Sequence, residues 1–149
     1  MKKFIFRPQV LIDIQKSKVE QLQGDLADAL RHRQGILGEI SKILGKMADN
    51  LKARNHKMEE GMSVFDLLMF NEFEDFLTIK RVEKEAELVE VESLIEKIRS
   101  DLAIAFKRQK TLEKFKEIRY NEYKFEKNRI DNRRMDEIGI GGFVRNTQL

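Results

Sequence analysis

Two histidines, His32 and His56, stand among 26 acidic and 29 basic side chains in a chain of 149 residues without cysteine. Imidazole and carboxylate are the usual materials of metal ligation and of general acid–base catalysis. Their spacing here supports neither. The histidines are distant in sequence, and no HExxH or related ligand pattern surrounds either one. Both sit among polar residues and are read as solvated side chains. The carboxylates are distributed along charged helical segments, where they face water and lack a pocket to shift their acidity. Missing cysteine removes thiolate metal sites, disulfides and thiol catalysis together. Gly139-Ile140-Gly141-Gly142 has the look of a phosphate loop, but it follows a helix instead of a strand and no GK[ST] comes after it. It is read as a helix stop. The chain is therefore expected to be no enzyme and to hold no cofactor and no metal.

Binding chemistry is better represented. Lys107, Arg108, Lys110, Lys114, Lys116, Arg119, Lys124, Lys127, Arg129, Arg133 and Arg134 are interleaved with Phe106, Phe115, Tyr120, Tyr123 and Phe125. Such a stripe can contact nucleic-acid phosphates. It can also be a soluble helix face held by i,i+4 pairs, or the ligand of an acidic groove or pore in a partner protein. The last reading accounts for charge and aromatics together. Nucleic acid is disfavoured, because acidic residues nearly balance basic ones over the whole chain. A second cluster, Phe65, Phe70, Phe73, Phe76 and Leu77, is distributed around a helix axis, so part of it must be exposed. It reads as a docking patch or as a self-association contact.

These residues must be positioned by helices. From Met62 to Glu137 there is neither glycine nor proline. A continuous helix of that length would extend roughly 110 Å at 1.5 Å per residue. Before it, Ile12, Val19, Leu22, Leu26, Ala29, Ile36, Ile40, Ile43 and Met47 alternate at spacings of three and four, a coiled-coil seam. Pro8 fits a first helical turn, where its missing N–H has no partner to lose. Gly61 can adopt the left-handed conformation that ends a helix, and Ser63 can cap the next, with Asp66 favouring its N-terminal dipole. After the break, Leu88, Val91, Ile95, Ile98, Leu102, Ala105 and Leu112 form the second seam. Past Leu112 its positions turn polar.

Two helices joined by a short break pack antiparallel. The expected fold is all-α, with two long helices forming an antiparallel coiled-coil hairpin in a single domain over 1–149. The first helix is expected over about 7–58, the turn over 59–63, the second helix over 64–138, and a flexible tail over 139–149. Pairing outward from Gly61 brings Pro8 near Phe115 and leaves the residues beyond without a partner in the chain. Charge divides along this plan. Glu59 to Asp101 carries 13 acidic and 5 basic residues, whereas Leu102 to Arg134 carries 5 acidic and 11 basic. The N-terminus has no apolar core of signal-peptide length, and no apolar run reaches the roughly 20 residues a membrane span needs. A cytosolic location, or one peripheral to a membrane, is expected.

The two ends resemble a known family. Phe4-Ile5-Phe6-Arg7-Pro8-Gln9-Val10-Leu11 is similar to the F-x-F-R-x-Q-x-V/L start of the FliJ family, coiled-coil proteins of flagellar type III export. Glu126 to Ile138, with Ile130-Asp131 and Met135-Asp136-Glu137-Ile138, resembles that family's C-terminal stretch. The resemblance implies a non-enzymatic stalk that binds a hexameric export ATPase and the cytoplasmic domain of an export gate membrane protein, and that assists export chaperones. It implies neither nucleic-acid binding nor a membrane span. Carried onto this chain, it assigns ATPase contact to Arg7, Val10, Leu11, Ile14, Arg119, Tyr123, Arg129, Ile130 and Arg133. Gate or chaperone contact falls to Phe65, Phe70, Phe73, Phe76 and Leu77. A structural coiled-coil dimer and an injectisome stalk protein remain alternatives.

Overall fold

A computed structural model describes residues 2–148. The protein is all-α: helix α1 spans Gln9–Glu60 and helix α2 spans Val64–Thr147. The two helices pack against each other as a helical hairpin, with no strand among the described residues.

Local chemistry sets the ends. The Pro8 carbonyl accepts from the N–H groups of Leu11 at 2.9 Å and Ile12 at 3.3 Å, so proline serves as the flanking residue from which α1 starts. Gly61 closes α1 with φ of 103°, a conformation that costs a residue with a Cβ about 1–2 kcal/mol. Ser63 then caps α2: its Oγ accepts from the Asp66 N–H at 3.1 Å, and its carbonyl accepts from the Leu67 N–H at the same distance. The expected stop at Gly139 is not observed. Helix α2 continues through Gly139, Gly141 and Gly142 to Thr147. Gly61 is the one described glycine with positive φ, so these three keep helical backbone. Arg145 Nε donates to the Gly141 carbonyl at 3.1 Å, and Thr147 Oγ1 donates to the Phe143 carbonyl at 2.7 Å. Glycine lowers helix propensity without forbidding the helix, and side-chain bonds to the last carbonyls hold the segment.

The chain divides into two compact units. The bend unit is Glu20–Ala103. Its core is Ala29 and Ile36 from α1 with Val91, Ile95 and Ile98 from α2, flanked by Leu22, Leu26, Leu30, Ile40 and Leu88. All but Leu30 are seam positions read from the sequence, and burying each large aliphatic contributes about 1.5–3 kcal/mol. The pairing is antiparallel. Asn50 Nδ2 donates to the Phe70 carbonyl at 3.2 Å, Glu39 lies 2.7 Å from Lys84, and Arg33 lies 3.4 Å from Glu92. Each step back along α1 meets a position further along α2.

The termini unit is Met1–Val19 with Ile104–Leu149. Ile12, Val19 and Ala105 are its buried apolar residues. Lys116 Nζ donates to Gln9 Oε1 at 2.6 Å, a cross-helix bond at a position where the apolar seam has already turned polar.

Candidate partner-binding surfaces

Within the termini unit the chain ahead of α1 lies along α2. Phe4 meets Tyr120 edge-on at 5.3 Å between ring centroids and Tyr123 at 5.4 Å, and Phe6 meets Phe115 at 5.7 Å. Tyr123 donates its hydroxyl to the Lys2 carbonyl at 3.0 Å. The sequence reading left everything past Phe115 without a partner. The non-helical N-terminal segment supplies one as far as Tyr123, because alternate residues of an extended chain place Phe4 and Phe6 on the same side.

This segment brings three of the expected ATPase-contact residues together. Arg7, Arg119 and Tyr123 line one open cavity of about 480 Å³ with Phe4, Phe6, Pro8, Phe115 and Glu122. The Arg119 guanidinium lies 5.2 Å from the centre of the Phe115 ring, and its Nη1 donates to Glu122 at 3.1 Å. Val10, Leu11 and Ile14 are exposed on α1, on the side away from buried Ile12. Arg129 is exposed and donates to Glu126 at 2.7 Å. Ile130 is half-buried and Arg133 exposed. None of these three lines the cavity with Arg7.

The bend unit carries the second surface. Phe65, Phe73 and Phe76 are exposed. Phe73 and Phe76 stack at 6.5 Å, and Lys80 Nζ lies 5.8 Å from the centre of the Phe76 ring. Phe70 is half-buried. Leu77 does not belong to this surface: it is 2% exposed and is a core residue. At about 100° per residue it is turned a quarter of the way round the axis from exposed Phe76, onto the side of half-buried Phe70 and buried Val91 that faces α1. Sequence reading missed Leu68, Met69 and Ile79, which are exposed. The signal was available, since Phe65, Met69, Phe73 and Phe76 follow at four, four and three, one helical stripe.

In the bend unit Glu39 and Lys84 perturb each other. The hydrogen bond from Lys84, and then its charge, hold the Glu39 carboxyl below the usual glutamate range. The bonds to Glu39 and Glu87 raise Lys84 in turn. His56 lies 3.2 Å from Glu60 at the surface. No cluster of three metal-ligating side chains exists among the described residues. No helix among them is long and apolar enough to cross a membrane.

No curated protein and no solved structure matches this chain. The model of the flagellar FliJ protein matches residues 5–148, nearly the whole sequence, and the chain therefore belongs to the FliJ family of flagellar export coiled-coil proteins.

Proposed function

We propose that this chain is a non-enzymatic stalk of the flagellar export apparatus whose termini unit engages a hexameric export ATPase. The observation that carries this is the surface of that unit. Arg119, Arg129 and Arg133 are exposed on α2, and Val10, Leu11 and Ile14 are exposed on α1. Exposed aliphatics and arginines on one unit match a partner groove with an apolar floor and an acidic rim. An asymmetric helical pair seated in a ring contacts each subunit differently. Those contacts favour ring assembly and link nucleotide state to the orientation of the stalk, without chemistry by the stalk itself. The stripe of Phe65, Phe73 and Phe76 is the surface for the export gate or a substrate chaperone. A working position at the cytoplasmic face of the membrane follows from these partners.

The test is Arg129→Glu with Arg133→Glu, titrated against the ATPase at two salt concentrations with helicity checked by circular dichroism. Weaker binding with a shallower salt dependence is expected. Unchanged affinity at both concentrations rules the reading out.

A further inference from the structure

In the bend unit helix α2 carries a second apolar stripe, on the side turned away from α1. Ile79, Val82, Ala86 and Val89 follow at spacings of three, four and three. All four are exposed, Ile79 59%, Val82 55% and Val89 66%. At about 100° per residue they fall within about 40° of one line down the helix. Buried Leu77, Val91 and Ile95 lie about 160° round from that line, so the stripe runs opposite α1. A helix packed on one neighbour needs one apolar stripe. Two stripes on opposite sides belong to the middle helix of three. Phe76 and Phe73 lie about 100° and 160° from the line, so this face is distinct from the aromatic surface.

The rim of the stripe decides what can cover it. Glu83 and Glu90 flank it on one side and Glu85 and Glu92 on the other, all exposed and about 60–100° from its line. Lys80, Arg81 and Lys84, the cations between Glu72 and Glu92, lie about 120–180° away, toward α1. Glu83, Glu85 and Glu92 reach cations of the chain at 3.5, 3.6 and 3.4 Å, in exposed pairs that hold them weakly. A second copy laid stripe to stripe sets glutamate against glutamate. An anionic bilayer attracts a helix rimmed by lysine and arginine and repels this one. A helix with an apolar stripe of its own and basic flanks satisfies both the stripe and the rim.

We propose that the outer face of α2 from Ile79 to Val89 docks a basic amphipathic helix of a partner protein, completing a local three-helix coiled coil. The stripe sets the length of the contact, about three turns or 15 Å. Ser93 takes the next place on the line after Val89, and Asp75 the place before Ile79. So short a contact is a weak, exchanging one. It rests on the bend unit alone and is independent of the ATPase contact.

The probe is a dye-labelled peptide of about four helical turns, with leucine at alternating spacings of three and four and lysine on both flanks. Its twin carries glutamate on the flanks. Fluorescence anisotropy is followed as the full chain is titrated in. The lysine peptide is expected to bind, roughly tenfold or more tightly than the glutamate peptide. Val82→Asn with Val89→Asn is expected to weaken that binding roughly tenfold or more. Valine and asparagine have similar helix propensity, and circular dichroism checks that the helices remain. Leu44→Asn, at an exposed leucine of α1, is the control and is expected to leave the affinity unchanged. Glu83→Lys with Glu90→Lys is expected to narrow or reverse the preference between the peptides. No binding of the lysine peptide, equal binding of the two, or an unchanged preference after the lysine substitutions overturns the proposal. So does an unchanged affinity after the asparagine substitutions, or an equal loss in the control. A dimer of the chain, or attachment to anionic vesicles, that the asparagine substitutions abolish gives the face another occupant and also overturns it. Each of these outcomes leaves the stalk reading to its own titration.

Discussion

Asn50 on α1 donates its side-chain amide to the main-chain carbonyl of Phe70 on α2 at 3.2 Å, although Asn50 is only 8% exposed. The same amide lies 3.4 Å from the Glu74 carboxylate. A buried amide in a coiled-coil seam fixes which residues face each other, at a cost in stability. Asn50→Ala is expected to lose about 1 kcal/mol, the net worth of such a bond. Asn50→Leu, close in shape and apolar, is expected to recover most of that. Urea unfolding followed by circular dichroism measures both. Equal losses in the two variants would show that shape complementarity is not what leucine restores.

The N-terminal segment has a built-in reporter. The chain's two tyrosines, Tyr120 and Tyr123, both contact Phe4, and there is no tryptophan to mask their emission. Phe4→Ala removes both ring contacts, each worth about 0.5–1.5 kcal/mol beyond area burial. Tyrosine emission in that variant is expected to become more accessible to acrylamide, and proteolysis ahead of Gln9 to accelerate. Ile5→Ala is the control, because Ile5 is exposed. Identical quenching in the Phe4 variant and the unsubstituted chain would mean the segment is not held by these rings in solution.

Much of the bend unit was legible in the sequence because its signals are local and periodic. The seam of Ala29, Ile36, Val91, Ile95 and Ile98 follows from spacing, and Gly61 with Ser63 from the chemistry of helix ends. What escaped has a different physical character. Asn50 is polar at a seam position, so a hydropathy pattern passes over it. Leu77 lies beside four phenylalanines in sequence, and only the helical phase tells that it turns inward while Phe76 turns out. The Phe4 and Phe6 contacts join residues more than a hundred positions apart, which no local pattern encodes. Of the residues expected at an ATPase contact, most lie in the open, with Tyr123 and Ile130 half-buried, and no sequence pattern told that Arg7, Arg119 and Tyr123 share one cavity.

The Glu39–Lys84 pair makes a pH dependence with a definite sign. Glu39 titrates below its usual range when folded, so its contribution is present above the unfolded value and is lost as pH falls through the lowered one. Lys84 titrates above its usual range, so its contribution is present below the unfolded value and is lost as pH rises through the raised one. Stability from the pair is therefore full across the neutral range and declines at both extremes. Both groups are at the surface, so the effect is small and salt-sensitive. Melting temperature against pH, for Glu39→Gln, Lys84→Met and the double variant, separates the pair from the rest. If the double variant falls by the sum of the singles, the two groups do not interact.

Alanine in place of glycine is expected to act in opposite directions at the two ends of α2. Gly61 has φ of 103°, where a Cβ is strained by about 1–2 kcal/mol even though the space around it is empty. Gly61→Ala should therefore lower the unfolding free energy by about that much. Gly142 is helical, and a Cβ there also meets nothing. Gly142→Ala should stabilise the last turns by about 0.8–1 kcal/mol, the propensity difference between the two residues. Amide hydrogen exchange from Ile138 to Thr147 reads the second effect directly, as slower exchange confined to that segment. Empty space is common to both positions, so only backbone conformation distinguishes them. Two changes of the same sign would mean that the helix does not run through Gly142 in solution, and that the chain stops its helix at the glycines after all.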